Sequence, residues 1–373
     1  MTLEPKHLQY FSLLRSGLWG TEADASLFAT STDWMSLFQI AKSQSTLALV
    51  YDGILTLPRE LQPERRFFLQ WSNIVAQIEE ENDHLNDRLH EVFDLFQQHG
   101  LTPVLLKGQG VAQCYRHPDH RQCGDIDVFI GKRDYEKANA LLREEAVTEH
   151  NENMKHTGFV WRDVEVEVHR QMAHLSTPWY NAFFQRTLCS WFPKGCRTML
   201  IKGRPVALNP LEFDVLYVFI HSVYHCLNEG IGLRQICDWA MMLSFYQKEL
   251  NHKELLRLLK GTGLLKGARA FGAVATDVLG LPADCLPFSL HEKDHRTASW
   301  LLADILEGGN FGHHDANRER RPAGHWAGKW FTLRRAFGRC RKMGSLALSE
   351  ACWYPLSLTL LSIQMQWQLL KRR

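Results

Sequence analysis

The sequence of 373 residues lacks several features that define common protein classes. It has no apolar run of about 18 residues, so no membrane-spanning helix is expected. Its 43 Lys and Arg nearly balance its 41 Asp and Glu, which disfavours a strongly basic nucleic-acid binder. Its nine cysteines are scattered without a Cys-x-x-Cys pair, which argues against a zinc ribbon or a dense disulfide framework. The first residues lack the basic start and apolar stretch of a secretory signal, so we expect a cytoplasmic protein.

Apolar periodicity changes along the chain from helical to extended. Apolar residues recur at intervals of three and four from about 65 to 99, and Gly100 stands where a C-cap glycine belongs, which predicts a long helix. Short apolar runs at 101–106 and 125–130 predict buried strands, and residues 158–169 form a third extended region. Strands interspersed with helices in this way indicate an α+β core.

Three regions follow from these patterns. Residues 1–64 form an N-terminal helical region, residues 65–175 form the α+β core, and residues 176–373 form a larger C-terminal helical region. Within the last region the pattern is helical almost to the end after Asn209, a suitable N-cap that Pro210 follows.

Two carboxylates two residues apart are the sharpest feature of the sequence. Gly124 precedes Asp125-Ile126-Asp127, and on a strand Asp125 and Asp127 point to the same side. A divalent cation between them would relieve their repulsion, and Mg²⁺ prefers carboxylate oxygens. The alternative is a pair of solvated acids at a sheet edge, since the motif is short.

A second alternating stretch supplies further acids. From Val164 onward, period two places Glu165, Glu167 and His169 together on the polar face of a strand. A third acid beside the paired aspartates would complete a ligand set for two cations about 4 Å apart, which can hold a triphosphate. We therefore expect the carboxylates of Asp125, Asp127 and Glu167 to lie within about 8 Å of each other.

A turn between the first strand and a short helix precedes the aspartates. Lys107 would add a point charge there, and Gly108 and Gly110 would let the backbone approach a phosphate.

Together these segments resemble the nucleotidyltransferase superfamily that includes DNA polymerase beta, and more narrowly a bacterial family of uncharacterised nucleotidyltransferases. The resemblance covers about residues 40–310. It is carried by Leu106-Lys107-Gly108, Arg121 to Asp127, Glu167-Val168-His169, His221, His225 and Leu233 to Asp238. It implies a nucleotidyltransferase-like fold with a mixed sheet. It also implies an enzyme that transfers a nucleoside monophosphate from an NTP, with Mg²⁺ or Mn²⁺ as cofactor and ATP among the candidate nucleotides.

The resemblance also implies roles for individual residues. Asp125, Asp127 and Glu167 would bind metal and catalyse the reaction, with Glu167 matching the family pattern better than Glu165. Nucleotide binding would fall to Lys107, Gly108, Gly110, Arg121 and Gly124. The superfamily commonly has Gly-Ser in the turn, whereas Gln109 follows Gly108 in this chain and offers no hydroxyl.

Several nearby residues have both a structural and a functional interpretation. Arg121 suits either a phosphate or an acidic partner. His169 could contact substrate, bind metal or orient Glu167, or it could have a structural role, and His156 is a weaker candidate. Four-residue spacing puts His221 with His225, and Arg234 with Asp238, on shared helix faces. For His221 and His225 a core or supporting role is favoured over zinc binding. For Arg234 and Asp238 an ion pair is the simplest interpretation, and a place in the substrate cleft is the other.

The C-terminal helical region of residues 176–373 would bind and choose the acceptor, and the class of that acceptor is the remaining question. Residues 318–342 contain nine Lys or Arg and one acid, with aromatics between them, a composition that suits RNA or a solvated helix. The near-neutral net charge of the whole chain favours a solvated helix over an RNA-binding segment. We therefore expect a small-molecule, glycan or peptide acceptor instead of a polynucleotide. The rival interpretations are a non-catalytic nucleotide-binding scaffold with the same fold and an RNA-modifying nucleotidyltransferase.

Overall fold

The computed structural model describes residues 4–150, 156–192, 195–228, 230–309 and 324–371. Helices in these ranges, apart from short 3-10 turns, are α1 (Pro5–Trp19), α2 (Trp34–Ser43), α3 (Leu47–Leu55), α4 (Arg65–Gln98), α5 (Gly108–Ala112), α6 (Tyr135–Glu145), α7 (Pro178–Trp191), α8 (Leu211–Asn228), α9 (Leu233–Phe245), α10 (His252–Gly261), α11 (Leu265–Asp277), α12 (Glu292–Gly308), α13 (His325–Met343) and α14 (Leu348–Lys371). None of these described helices is long and apolar enough to span a membrane.

Seven strands in the described ranges form one mixed sheet. They are β1 (Val104–Leu106), β2 (Asp125–Phe129), β3 (Ala146–His150), β4 (His156–Trp161), β5 (Val164–His169), β6 (Arg197–Ile201) and β7 (Arg204–Leu208). The order across the sheet is β3-β4-β5-β2-β1-β7-β6. The β2–β5 and β1–β7 pairs are parallel, and the other neighbours are antiparallel. The sheet and its surrounding helices confirm the expected nucleotidyltransferase-like α+β fold with additional helices at both ends.

One face of the sheet is closed by helices α4 and α6. Alternate residues of β2 and β5, including Ile126, Val128 and Val166, are buried in a core shared with these two helices. The intervening residues of the same strands, including Asp127 and Glu167, must therefore point to the opposite face. Strand alternation thus separates an apolar face from the face that carries the acids.

A larger core unites the two ends of the chain. Side chains of α1 and α3 share one buried cluster with those of α8, α9 and α11. Phe129 and Leu106, which point to the acid-bearing face of the sheet, belong to the same cluster. The helical regions therefore pack together beside the acids. The domain limits at residues 64 and 175 stay a prediction.

The long helix was predicted well, and the second half of the chain less so. Helix α4 ends at Gln98, and Gly100 has a φ of 73°, as a glycine after a helix end commonly does. The β6–β7 hairpin was not predicted from the sequence. It lies within the region expected to be helical, before Asn209, and joins the sheet edge beside β1. Its turn at Lys202 and Gly203 has positive φ at both positions, which suits a tight hairpin.

Candidate metal and nucleotide site

The parallel pairing of β2 and β5 brings the acids together. Cα partners across this pair are Asp125 with Glu165 and Asp127 with Glu167. One carboxylate oxygen from each of Asp125, Asp127 and Glu167 lies within 4.8 Å of the other two. This spacing is inside the separation expected for carboxylates that share divalent cations.

Glu167, and not Glu165, completes the trio. Glu165 lies opposite Asp125 in the strand register, yet it joins none of the potential metal-binding groups formed by the described residues. Glu167 is also the acid flanked by two imidazoles, those of His156 and His169. The geometry thus distinguishes two acids that share one parity.

Lys107 lies directly between the two aspartates. Its Nζ is 3.0 Å from Oδ2 of Asp125 and forms an ion pair with Oδ2 of Asp127. Its backbone has φ 44° and ψ −139°, a conformation that costs a non-glycine residue about 1–3 kcal/mol and is often found at functional sites. The ammonium therefore neutralises the paired acids and does not project toward open solvent.

Two histidines surround the third acid. His169 Nε2 lies 2.8 Å from Oδ1 of Asp127 and 3.3 Å from Oε2 of Glu167. His156 Nε2 lies 3.5 Å from Oε1 of Glu167, and the two imidazole rings are 4.8 Å apart. Both histidines that the sequence flagged thus reach the acidic site.

Burial and mutual charge set the protonation of this cluster. Burial and the neighbouring Asp125 raise the pKa of Asp127 to about 6, although Lys107 and His169 oppose the shift. Burial disfavours the charged form of His169, but hydrogen bonds to Asp127 and Glu167 outweigh it and raise the pKa of His169 to about 9. Burial also opposes the charge on Lys107, yet the attraction of both aspartates raises its pKa well above the usual value. Two positive side chains therefore compensate three acids.

The turn between β1 and α5 is closely packed. Gly108 has a φ of 52°, which favours glycine. A Cβ added to Gly110 would lie 2.8 Å from Cδ2 of Leu208, so this glycine lets α5 pack on β7. Gln109 donates from Nε2 to Oδ1 of Asn82, 2.9 Å away on α4, so its amide is engaged away from the acids. By contrast, a Cβ on Gly124 would meet no atom within 4 Å.

Arg121 is committed to a buried partner on α9. Its Nε and Nη2 donate to the two carboxylate oxygens of Asp238 at 2.7 and 2.8 Å, and Tyr115 donates to the same carboxylate at 2.8 Å. The ion pair between Arg234 and Asp238 that their spacing predicted is not formed. Arg234 donates instead to the backbone carbonyl of Gln122. Burial opposes the charge of Asp125, but Lys107, and to a smaller extent Arg234, lower the pKa of Asp125.

Tyr217 is a site neighbour that sequence reasoning missed. It is buried on α8, where burial first and the charge of Asp127 second raise its pKa well above the usual value. His221 and His225 continue the same helix face. The ring centroids of Tyr217 and His221 are 6.2 Å apart, and those of His221 and His225 are 4.4 Å apart. The four-residue interval from Tyr217 to His221 was the available signal.

The donor set fits a hard divalent cation. Three converging carboxylates offer the oxygen ligands that Mg²⁺ and Mn²⁺ prefer. The partial exposure of Asp125 and Glu167, at 34% and 21% of their side chains, leaves the site accessible from solvent. Asp127 is fully buried beneath them.

Comparison with known proteins agrees with this geometry. A family model described as "Uncharacterised nucleotidyltransferase" matches residues 30–280, about two thirds of the chain. The chain therefore belongs to this family of nucleotidyltransferases. No curated protein and no solved structure matches it.

Proposed function

We propose that this protein transfers a nucleoside monophosphate from an NTP to a small-molecule, glycan or peptide acceptor, in a reaction that depends on Mg²⁺ or Mn²⁺. The observation that carries the proposal is the convergence of Asp125, Asp127 and Glu167 within 4.8 Å on two paired strands. Membership of the nucleotidyltransferase family supports the reaction class.

The three acids have separate tasks in this proposal. Asp125 and Asp127 hold the cation, which when bound supplies positive charge to the triphosphate oxygens. Glu167 completes the ligand set, and its carboxylate accepts the proton of the acceptor. The acceptor oxygen or nitrogen bonds to the α-phosphorus, and the bond from that phosphorus to the pyrophosphate oxygen breaks. Released pyrophosphate, the nucleotidylated acceptor and the proton now on Glu167 account for every atom.

Lys107 exchanges partners as the substrate binds. In the structure its ammonium neutralises Asp125 and Asp127. A divalent cation on these carboxylates would release the ammonium, which then pairs with the triphosphate beside the Gly108 backbone. Lys107 therefore serves as an internal counterion in the free enzyme and as a phosphate ligand in the complex.

The two arginines near the site contribute differently. Arg121 uses two nitrogens on Asp238, and its buried Nη1 has no hydrogen-bond partner among the described residues. We assign Arg121 to positioning α9 against the site, with Nη1 as its nitrogen still without a partner for phosphate. Arg234 is half-buried and influences Asp125 electrostatically, so it is the better-placed arginine for the triphosphate.

The basic segment does not favour a polynucleotide acceptor. Arg339 and Lys342 both bind the carboxylate of Asp304, which compensates part of the positive charge of the segment within the protein. The beginning of the segment, residues 318–323, lies outside the described residues. Affinity for a polynucleotide depends on charges that neutralise phosphates, and the net charge of the chain is only +2.

All nine cysteines are free, which is consistent with the reducing cytoplasm.

The test is release of pyrophosphate from each of the four common NTPs, with water as the surrogate acceptor, in the presence and absence of Mg²⁺ or Mn²⁺. We expect cation-dependent release from at least one NTP, and stabilisation of the protein by an NTP analogue with a non-cleavable α,β-bridge. Stabilisation by the analogue without any release would favour the non-catalytic scaffold. A tight complex with tRNA or single-stranded DNA at about 150 mM salt would favour the RNA-modifying alternative.

A further inference from the structure

We propose that His156, His169 and Glu167 form a second divalent-cation site beside the aspartate pair, and that this site takes a cation that accepts imidazole, such as Mn²⁺ or Zn²⁺. The proposal extends the proposed function, since Glu167 is shared between the two sites. It assigns His156 and His169 to metal binding, whereas the proposed function requires only the three carboxylates as metal ligands.

The ligand atoms converge from two antiparallel strands. One atom from each of His156, Glu167 and His169 lies within 4.8 Å of the other two. His156 and His169 are Cα partners in the β4–β5 pair, which places their rings side by side. Register and parity, and not chance rotamers, therefore bring the imidazoles together.

The carboxylate of Glu167 is divided between the two imidazoles. Its Oε1 lies nearer His156 Nε2, and its Oε2 nearer His169 Nε2, at 3.5 and 3.3 Å. Both histidines thus present Nε2 to the carboxylate of Glu167. In the free protein Nε2 of His169 donates to Asp127 and Glu167, and a cation would bind there in exchange for that proton. A cation on these three groups would have two nitrogen ligands and a carboxylate, with Asp127 Oδ1 2.8 Å from His169 Nε2 as a fourth donor.

The ligand chemistry separates the two sites. The trio of Asp125, Asp127 and Glu167 offers oxygen only, which suits Mg²⁺, whereas imidazole nitrogen suits Mn²⁺, Zn²⁺ and similar cations better. The side chains of His156 and Glu167 are 20% and 21% exposed, so a hydrated cation can reach them. The shared Glu167 would bridge the two cations, as a carboxylate does in many two-metal sites.

The experiment uses Mn²⁺ and the full chain. Electron spin-echo modulation detects ¹⁴N bound directly to Mn²⁺, and the aspartate pair with Glu167 contributes no nitrogen. Mn²⁺ titration gives the number of sites in the same samples. We expect two equivalents and a ¹⁴N coupling in the wild type, and loss of one equivalent together with that coupling in His156→Ala. His169→Ala should behave in the same way, and His156→Ala guards against misfolding because its side chain is less buried.

Two controls make the outcomes decisive. Glu79→Gln tests whether the signal arises from the separate group of Glu79, Asp119 and His120, and should leave it unchanged. Asp125→Asn should weaken the oxygen site and keep the ¹⁴N coupling, so failure of the proposed catalytic site and failure of this inference are distinguishable. One equivalent of Mn²⁺ without ¹⁴N coupling in the wild type, or a coupling that His156→Ala leaves intact, would overturn the inference.

Discussion

The ammonium of Lys107 lies 3.0 Å from the Asp125 carboxylate and also contacts Asp127, so the structure places a protein cation between the two acids proposed to bind metal. Close carboxylates are costly without an opposite charge between them. Lys107 supplies that charge in the free protein. Under the proposed function, metal and lysine would therefore compete for the same pair of carboxylates.

Replacing Lys107 with Met tests this competition. We expect Lys107→Met to lower the melting temperature in the absence of divalent cations, because the acids lose their counterion. Added Mg²⁺ or Mn²⁺ should stabilise the variant more than the wild type, while binding of the NTP analogue weakens. Thermal unfolding with and without cation measures the first two effects.

The matched control is Lys202→Met. Lys202 also contacts two acids, Asp83 and Asp87, but on the surface. Its loss should change stability by about 1 kcal/mol or less, with no change in the response to cations. Equal cation responses in wild type and Lys107→Met would contradict the competition.

The buried pair of Arg121 and Asp238 predicts a large loss of stability. Both side chains are nearly fully buried, at 5% and 6% exposure. Removing one charge leaves the other buried and uncompensated, so Asp238→Asn should destabilise the protein by about 3–5 kcal/mol. The exposed carboxylate of Asp163, paired with Arg88, is the control, and Asp163→Asn should cost about 1 kcal/mol or less in urea unfolding. Similar losses in both variants would show that Arg121 does not depend on Asp238.

His120 predicts a pH-dependent contribution to stability. Burial disfavours its charge, but hydrogen bonds to Asp52 and Glu79 raise its pKa from 6.5 to about 9. Because the folded protein holds the proton more tightly, this stabilisation is complete below about pH 6.5 and is lost as pH rises through about 9. His120→Gln should therefore cost on the order of 1–2 kcal/mol at pH 6, after allowance for solvent screening. The difference should shrink toward pH 9.5 in urea unfolding, and a difference independent of pH would refute the assignment.

Gly110 and Gly124 predict opposite outcomes for one substitution. Gly110→Ala would place a Cβ 2.8 Å from Leu208, and because Leu208 is itself buried we expect a loss of about 1–3 kcal/mol. Gly124→Ala meets open space and should leave the free energy of unfolding nearly unchanged. If Gly124 lets a phosphate approach, Gly124→Ala should nevertheless weaken binding of the NTP analogue. Tolerance of Ala at both positions would show that α5 can move away from β7.

Strand periodicity predicted the acidic face because it depends only on local geometry. Asp125 and Asp127 lie two residues apart on β2, and Glu165, Glu167 and His169 lie at alternate positions of β5. The parallel register of β2 and β5 then places these side chains next to each other on one face of the sheet. The register itself is a tertiary property, and it pairs both glutamates with aspartates. The positions of the side chains, with Glu167 and not Glu165 beside both aspartates, distinguish the two. The site roles of these residues stay predictions until turnover is measured.

Residues whose partners are distant in sequence could not be placed in the same way. Arg121 pairs with Asp238, which is 117 residues away in the sequence. The sequence predicted Arg234 as the partner of Asp238, because the two are only four residues apart. The four-residue interval puts Tyr217 on one helix face with His221, but the approach of Tyr217 to the acids depends on the packing of α8 beside the sheet. The side chain of Lys107 was expected on phosphate, yet the nearest negative charges in the free protein are its own aspartates.

The central claim is that the three acids bind the cation of an NTP-dependent reaction, and Asp127→Asn tests it most directly. Burial and the neighbouring charge of Asp125 both disfavour the charged form of Asp127 and raise its pKa, so Asn should leave the melting temperature unchanged or slightly higher. The same charge is needed to hold the cation in the transition state, so pyrophosphate release should fall at least 100-fold, on the order of losing one strong electrostatic contact. Pyrophosphate release and melting temperature are measured on the same sample. The account predicts a folded protein without turnover, and turnover at the wild-type rate in Asp127→Asn would contradict it.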